Sequence, residues 1–264
     1  MNLILSRLFV GFFGLSVTLS FANVDHQAFD QLLKKNVLSL KGGQVTQVKY
    51  DQLKLSTEHQ QLRSYLKRIE QIRKSEFDAW SKAEQMTFLI NAYNAWTIEL
   101  ILSKYPDLSS IRDLGSLIQT PWKKKFIPLL DKKYSLDEIE DQLRKYNDPR
   151  IHFAVNCASI GCPALRPEAY QSSKLDQQLE QATYLFLSDK KRNYIENDTI
   201  YISSIFKWYK KDFELGWKQT HSVSQFLSMY PKALSLNSVQ TNALKQQKIK
   251  IKYLEYDWRL NKTP

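Results

Sequence analysis

Glycine is scarce in this chain, with 7 in 264 residues, and the glycine motifs of common enzyme sites are absent. The sequence has no Gly-x-Ser-x-Gly, no Gly-x-Gly-x-x-Gly and no phosphate-binding loop ending in Gly-Lys-Ser/Thr. Those sites need glycine where the backbone turns sharply or closely approaches a phosphate. Serine-elbow hydrolases and nucleotide-binding folds are therefore disfavoured.

Metal-binding patterns are equally sparse. There is no His-Glu-x-x-His segment, and His152 with the only two cysteines, Cys157 and Cys162, offers three ligands where a structural zinc site needs four. We therefore predict no metal and no cofactor.

The first 24 residues contain one charge, Arg7, followed by an apolar run of about 15 residues, whereas a membrane-crossing helix needs roughly 20. Ser20 and Ala22 place small residues at positions −3 and −1 of a cleavage site. This order is typical of a secretory signal peptide spanning residues 1–22. We expect cleavage after about Ala22, a periplasmic or secreted protein, and no transmembrane segment after cleavage.

Acidic residues are outnumbered by basic ones, 27 against 38. Loss of Arg7 with the leader would lower the net charge from +11 to +10. A basic exported protein is drawn to anionic surfaces. A nucleic-acid partner is disfavoured, because acids are interleaved with the bases and no recognition module is evident.

Hydrophobic periodicity predicts an α+β fold, with a helical N-terminal half packed on a mainly antiparallel sheet. Ser81 with Glu84 and Ser135 with Glu138 form capping boxes that open two helices. The segment RIHFAVNCA is interpreted as a buried strand, RNYIENDTIYISS as a hairpin and KIKIKYLEYDW as a final strand. No repeat or long linker divides the chain, so a helical segment 23–80 and a core domain 81–264 are expected to form one unit.

Chemistry-bearing residues are concentrated in the segment DPRIHFAVNCASIGCPAL. Cys157 could serve as a thiolate nucleophile if His152 accepted its proton, with Asn91 as a polar partner. In an extended strand His152 and Cys157 point to opposite faces, so this pairing requires a bend. The substrate-binding candidates are Asn94, Asn156, Arg150 and Trp122.

A second interpretation of the cysteines stays open. Two cysteines in an exported chain are commonly joined, and a Cys157–Cys162 bridge would enclose four residues and contribute roughly 2 kcal/mol. A metal or redox pair is a third alternative.

Two other polar groups also have structural explanations. Asn91 and Asn94 share one face of the apolar helix FLINAYNAW, where their amides could clamp a neighbouring loop instead of serving a site. Asp137, Glu138, Glu140 and Asp141 crowd a helix N-terminus, where acids favour the helix dipole.

The segments FLINAYNA, SIRDL, YSLDEIE, DPRIHFAVNCASIGCPAL, IFKWYKKDF and YLEYDWRLN together resemble the family catalogued as domain of unknown function 547. The resemblance covers roughly Glu84 to Asn261. It implies mostly exported bacterial relatives, others in plants, and no generally established activity. Such proteins commonly carry Ile-Glu-His where this chain has Ile139-Glu140-Asp141, which weakens any role for a histidine at that position.

The expected arrangement is also loosely similar to papain-like and transglutaminase-like enzymes, in which the cysteine precedes the histidine, opposite to the order here. Two functions follow. The first is a thiol-dependent hydrolase or acyl transferase acting on peptide or amide bonds in the cell envelope. The second is a non-catalytic, disulfide-stapled envelope protein that uses Trp122, Lys123, Trp208 and Tyr209 to bind an anionic partner.

Overall fold

The computed structural model describes residues 24–116 and 118–264, and the expected leader over residues 1–22 lies outside them. The α-helices are α1 (Gln27–Asn36), α2 (Tyr50–Leu55), α3 (Thr57–Glu70), α4 (Lys74–Asp78), α5 (Lys82–Leu102), α6 (Leu136–Arg144), α7 (Leu175–Ser188), α8 (Ile205–Trp208), α9 (Val223–Ser228), α10 (Pro231–Leu234) and α11 (Ser238–Lys245). The strands are β1 (Val37–Leu40), β2 (Val45–Val48), β3 (Ile127–Leu129), β4 (Lys132–Tyr134), β5 (Tyr194–Glu196), β6 (Thr199–Ser203) and β7 (Lys250–Leu254).

The fold is α+β, as predicted, with helices dominating the N-terminal half. Within the described ranges the strands form three small sheets instead of the single sheet expected. Two are antiparallel hairpins, β1–β2 and β3–β4. The third has the order β5-β6-β7, in which β5–β6 is antiparallel and β6–β7 is parallel. The hairpin around Asn197 and the final strand are confirmed, whereas β1 and β2 were not predicted.

Helix α5 is the centre of the larger hydrophobic core. It begins at the predicted capping box, in which the Ser81 side chain accepts a hydrogen bond from the Glu84 backbone N–H. Apolar side chains surround the helix on nearly all sides, so it is buried over most of its length and packs against α3 and α6. Helix α6 begins at the second predicted capping box, formed by Ser135 and Glu138.

A second core fills the C-terminal part, where Phe153, Phe206, Phe213 and Phe226 pack together with the buried face of β6. The segment IFKWYKKDFE is helical but not one continuous α-helix: α8 is followed by a 3-10 helix over Lys210–Glu214. Among the described residues no helix has the length and apolar character needed to cross a membrane.

The predicted strand over RIHFAVNCA is wrong. Residues Pro149–Phe153 form a 3-10 helix, capped by the Asp148 side chain, which accepts a hydrogen bond from the Arg150 N–H at 3.1 Å. Asp148 and Pro149 are good residues for starting a helical turn, and a short buried apolar run does not by itself distinguish strand from helix. The turn changes where the side chains of His152 and Cys157 point.

Candidate functional site

A cleft of about 260 Å³ opens where the two cores meet the C-terminal segment. Its walls come from α5, α6, the turn that carries His152, the cysteine loop, α8 and the segment after β7. The lining residues are Tyr93, Thr120, Trp122, Asp137, Glu140, His152, Val155, Cys157, Cys162, Pro163, Ile205, Trp208, Tyr209, Tyr256 and Trp258. Predicted site residues His152, Cys157 and Trp122 thus meet in one cavity, and Lys123 is exposed outside its lining.

Aromatic rings form the outer walls of the cleft. Trp258 is central: its ring lies 5.6 Å from that of Trp122, 5.6 Å from that of Trp208 and 4.5 Å from that of Tyr256, measured between centroids. Trp208 is 48% exposed, although large apolar side chains are usually mostly buried. The walls therefore offer flat, partly exposed apolar surfaces on which a ligand could stack.

The polar floor centres on His152, which is 3% exposed. Its Nε2 lies 2.8 Å from Asp212 Oδ2, and its Nδ1 lies 3.3 Å from Glu140 Oε1. Tyr209 stacks on the imidazole with ring centroids 3.9 Å apart. Because both ring nitrogens face carboxylates, the imidazole is directed at Asp212 and Glu140 and not at a cysteine sulfur.

Asp212 is held by a second cation. Arg144 donates to both carboxylate oxygens, from Nε at 2.7 Å and from Nη2 at 3.0 Å, which is the two-pronged geometry that suits a guanidinium. Burial would raise the pKa of Asp212, but hydrogen bonds from His152 and Arg144 lower it to about 2. Asp212 is therefore ionised at neutral pH and orients the imidazole through an Nε2–H donor.

The charge of His152 depends on the same contacts. Burial would lower its pKa, but the hydrogen bond to Asp212 and the nearby charge of Glu140 together raise it. Protonated His152 then lies between two carboxylates. Its distance to Glu140 is that of an ion pair, yet among the described residues neither His152 Nδ1 nor Glu140 Oε1 has a hydrogen-bond partner of good geometry. Buried polar atoms are normally hydrogen-bonded, so this pair differs from the other buried polar groups of the site.

Asp137 adds a second carboxylate to the cavity, one turn before Glu140 on α6. Burial and the neighbouring charge of Glu140 raise the pKa of Asp137. Asp137 and Glu140 were expected at the helix N-terminus because acids there favour the helix dipole, and in the structure Glu138 forms the capping box while Asp137 and Glu140 line the cleft. Their i, i+3 spacing places both on the face of α6 that lines the cleft.

The two cysteines lie beside the acidic floor, and their sulfur atoms are within disulfide-bonding distance. The Tyr256 hydroxyl is 3.2 Å from each sulfur, and the Cys157 N–H donates to Cys162 Sγ at 2.9 Å. Cys162 is 4% exposed, whereas Cys157 is partly exposed. The disulfide interpretation agrees with this geometry.

The asparagines of α5 do not line the cleft. Each amide donates one hydrogen bond to a backbone carbonyl and accepts one from a backbone N–H. Asn91 donates to the Tyr170 carbonyl and accepts from the Tyr170 N–H, both at 2.9 Å. Asn94 donates to the Ala154 carbonyl at 3.0 Å and accepts from the Asn156 N–H at 2.8 Å. The amide-clamp interpretation describes these contacts, and Asn94 thereby fixes the chain between His152 and Cys157.

Asn156 and Arg150 are likewise engaged elsewhere. Asn156 donates to the Pro163 carbonyl at 2.7 Å and accepts from the Ala158 N–H at 2.9 Å, which closes the cysteine loop on itself. Arg150 is buried, pairs with Asp148 and Asp176 at 2.8 and 2.7 Å, and does not line the cleft. Both residues support the segment that carries the site.

Sequence reasoning missed Asp212, Tyr256 and Trp258 as site residues. All three fall inside the segments IFKWYKKDF and YLEYDWRLN, which carried the family resemblance. The first segment shows a carboxylate and the second shows two aromatic residues. No local pattern indicated that the carboxylate lies beside His152 or that the aromatic residues lie beside the cysteines.

No curated protein and no solved structure matches the chain, so the loose likeness to papain-like enzymes stays a prediction. One family model, described as "Protein of unknown function, DUF547", matches residues 77–187. The match includes the asparagine clamp, Glu140, His152 and both cysteines, and ends before Asp212 and Tyr256. Over residues 77–187, the chain is thus similar to the DUF547 family, as the sequence motifs indicated.

Proposed function

We propose that this protein binds peptides of the cell envelope in the cleft, through aromatic stacking and through donors directed at its acidic floor. The carrying observation is that Glu140 Oε1 and His152 Nδ1 are buried at the cavity, 3.3 Å apart as an ion pair, with no hydrogen bond of good geometry from any described residue. A ligand that supplies an N–H or ammonium group to Glu140 would satisfy the carboxylate. The expected export of the protein fits an envelope ligand.

The charges of the cleft restrict the chemical class of ligand that it can bind. Asp137 and Glu140 both line the cavity, so a carboxylate-bearing ligand would be repelled there. Peptide amides with a free amino group combine donors, a positive charge and apolar side chains. The anionic partner expected from the net charge would instead meet the exposed lysines at positions 123–125, which lie outside the cavity lining.

Binding can be measured by tryptophan emission, since three tryptophans line the cleft. Di- and tripeptide amides with free amino groups should quench the emission saturably, and acetylated peptide acids of the same size should not. Glu140→Gln should weaken binding about tenfold or more, because one charge-assisted hydrogen bond is lost. Glu76→Gln, which changes a partly exposed carboxylate on α4 outside the cleft lining, is the control. Equal binding of both peptide classes, or no effect of Glu140→Gln, would contradict the proposal.

A second function is favoured by one observation: Cys157 and His152 line the same cavity. After reduction, Cys157 thiolate could attack an amide carbonyl, with His152 donating a proton to the leaving amine and water releasing the acyl group. Asp212, and not Asn91, would then orient the imidazole, while Asn91 would act only through the loop it clamps.

This thiol-dependent hydrolase predicts activity on amide substrates only after mild reduction. The activity should disappear in Cys157→Ser and persist in Cys162→Ser. The labelling rate of reduced Cys157 against pH should also report a depressed thiol pKa that rises in His152→Ala. Labelling curves that coincide for the two proteins would exclude the pair.

A further inference from the structure

We propose that Cys157 and Cys162 form a reversible redox pair that exchanges disulfides with cysteine dithiols of extracytoplasmic polypeptides, an activity beyond the peptide binding proposed above. The pair lines an open cleft of about 260 Å³ instead of being sealed in a core. A disulfide that serves only as a staple needs no such access and no donors at its sulfur atoms. This pair has both.

The two sulfurs differ in access. Cys162 is 4% exposed, whereas Cys157 is partly exposed at the cavity wall. An incoming thiolate must approach a sulfur directly, so it reaches Cys157 first. Cys162 is then the leaving group.

The hydrogen bonds favour the same direction of attack. The Cys157 N–H donates to Cys162 Sγ at 2.9 Å, and the Tyr256 hydroxyl lies 3.2 Å from that sulfur. Hydrogen bonds to an anion are stronger than those to a neutral acceptor, so both donors stabilise a thiolate on Cys162 more than the bonded sulfur. Burial raises the pKa of Tyr256, which keeps its hydroxyl protonated as a donor.

A buried cation lies close to the leaving group. Arg192 donates from Nη1 to the Cys162 carbonyl and pairs with Asp189 at 2.8 Å. Burial lowers the pKa of Arg192, although the pairing with Asp189 opposes that shift. The positive guanidinium beside residue 162 adds to the electrostatic support for a Cys162 thiolate.

The exchange balances without any other reactant. A substrate thiolate attacks Cys157 Sγ, the bond between Cys157 and Cys162 breaks, and Cys162 departs with the electron pair as a thiolate. The second substrate thiolate then attacks the substrate sulfur of the mixed disulfide and releases Cys157 as a thiolate. The substrate dithiol is oxidised to a disulfide, the protein pair is reduced to two thiols, and the reverse sequence reduces a substrate disulfide.

The first test follows reduction of the native, oxidised protein by dithiothreitol and by reduced glutathione, with thiols counted and near-ultraviolet circular dichroism recorded. Reduction should be complete while the folded spectrum persists. Tyr256→Phe should slow it about tenfold, the loss expected from one hydrogen bond to a thiolate. The control Tyr253→Phe removes a hydroxyl from a partly exposed ring that does not line the cleft, and should leave the rate unchanged.

The second test separates the two sulfurs. With oxidised glutathione, Cys162→Ser, which retains the accessible Cys157, should form a mixed disulfide at least about tenfold faster than Cys157→Ser, which retains the buried cysteine. Equal rates for the two variants, or a disulfide that is reduced only in denaturant, would overturn the proposal. Either result leaves peptide binding to the cleft intact, so the two proposals fail separately.

Discussion

Two pairs of buried polar side chains, one on α5 and one on the cleft floor, differ in their hydrogen bonds. On α5, the amides of Asn91 and Asn94 bind backbone groups on both sides at 2.8 to 3.0 Å. On the cleft floor, Glu140 Oε1 and His152 Nδ1 are also buried and lie 3.3 Å apart as an ion pair, but no described residue gives either atom a hydrogen bond of good geometry. The asparagine amides are fully hydrogen-bonded to the backbone, whereas the second pair is the one that the proposed ligand would contact.

Asn91→Ala tests the structural side of this comparison and should have the largest effect. It leaves the buried N–H and carbonyl of Tyr170 without partners, so the free energy of unfolding should fall by about 2 to 4 kcal/mol. Urea denaturation measures the loss. Asn242→Ala, an exposed position on α11, is the matched control. A large loss of peptide binding per folded Asn91→Ala molecule would instead assign this asparagine to the site.

The pH dependence of stability tests the floor. The folded pKa of His152 lies above its usual 6.5, so its contribution to stability is fully present below that pH and is lost as the pH rises through the folded pKa. The difference in unfolding free energy between the wild type and His152→Gln should therefore shrink from about pH 5 to pH 9. A difference that stays constant would show that His152 does not titrate in this range.

Glu140→Gln sharpens the same test. Removal of the carboxylate should lower the pKa of His152, because Glu140 is one of the charges that raise it. The imidazole titration can be followed by nuclear magnetic resonance in both proteins. Glu138→Gln on the same helix is the control, since Glu138 caps the helix and pairs with Lys125 at 2.7 Å.

Trp208→Ala should give the smallest change in stability. Its ring is 48% exposed, so truncation should cost about 1 kcal/mol or less, while the loss of a stacking surface should weaken peptide binding severalfold. Calorimetric unfolding and the emission titration measure the two effects. Trp80→Ala removes a ring that is 8% exposed in the main core. It should lower the stability more than Trp208→Ala does, and it should leave peptide binding per folded molecule unchanged.

Local signals predicted the starts of α5 and α6 and the β5–β6 hairpin, although they missed the β1–β2 hairpin. The capping boxes of Ser81 and Ser135 set the starts of α5 and α6, and Asn197 and Asp198 adopt the positive φ angles expected of a tight hairpin turn. The prediction failed at residues 150–158. An apolar run fits either element, and the capping of the turn by Asp148 was overlooked.

Of the candidate site, the sequence predicted only the residues that lie close together along the chain. His152 and the cysteines stand within one segment, and their proximity could be read directly. Asp212 is 60 positions from His152, and Tyr256 is 99 positions from Cys157. Such contacts depend on how α6, α8 and the segment after β7 pack, and no pattern within a short window encodes that packing.

By itself the sequence determined the α+β class, the helix starts, the final strand and the proximity of its two cysteines. These features arise from interactions within a few residues or from burial of one face of an element. Only the tertiary structure decided which buried polar atoms find partners, because those partners come from distant parts of the chain. The packing gave the Asn91 amide its backbone partners on Tyr170, placed Glu140 and Tyr256 in the cleft with His152 and the cysteine pair, and brought Asp212 to the imidazole of His152.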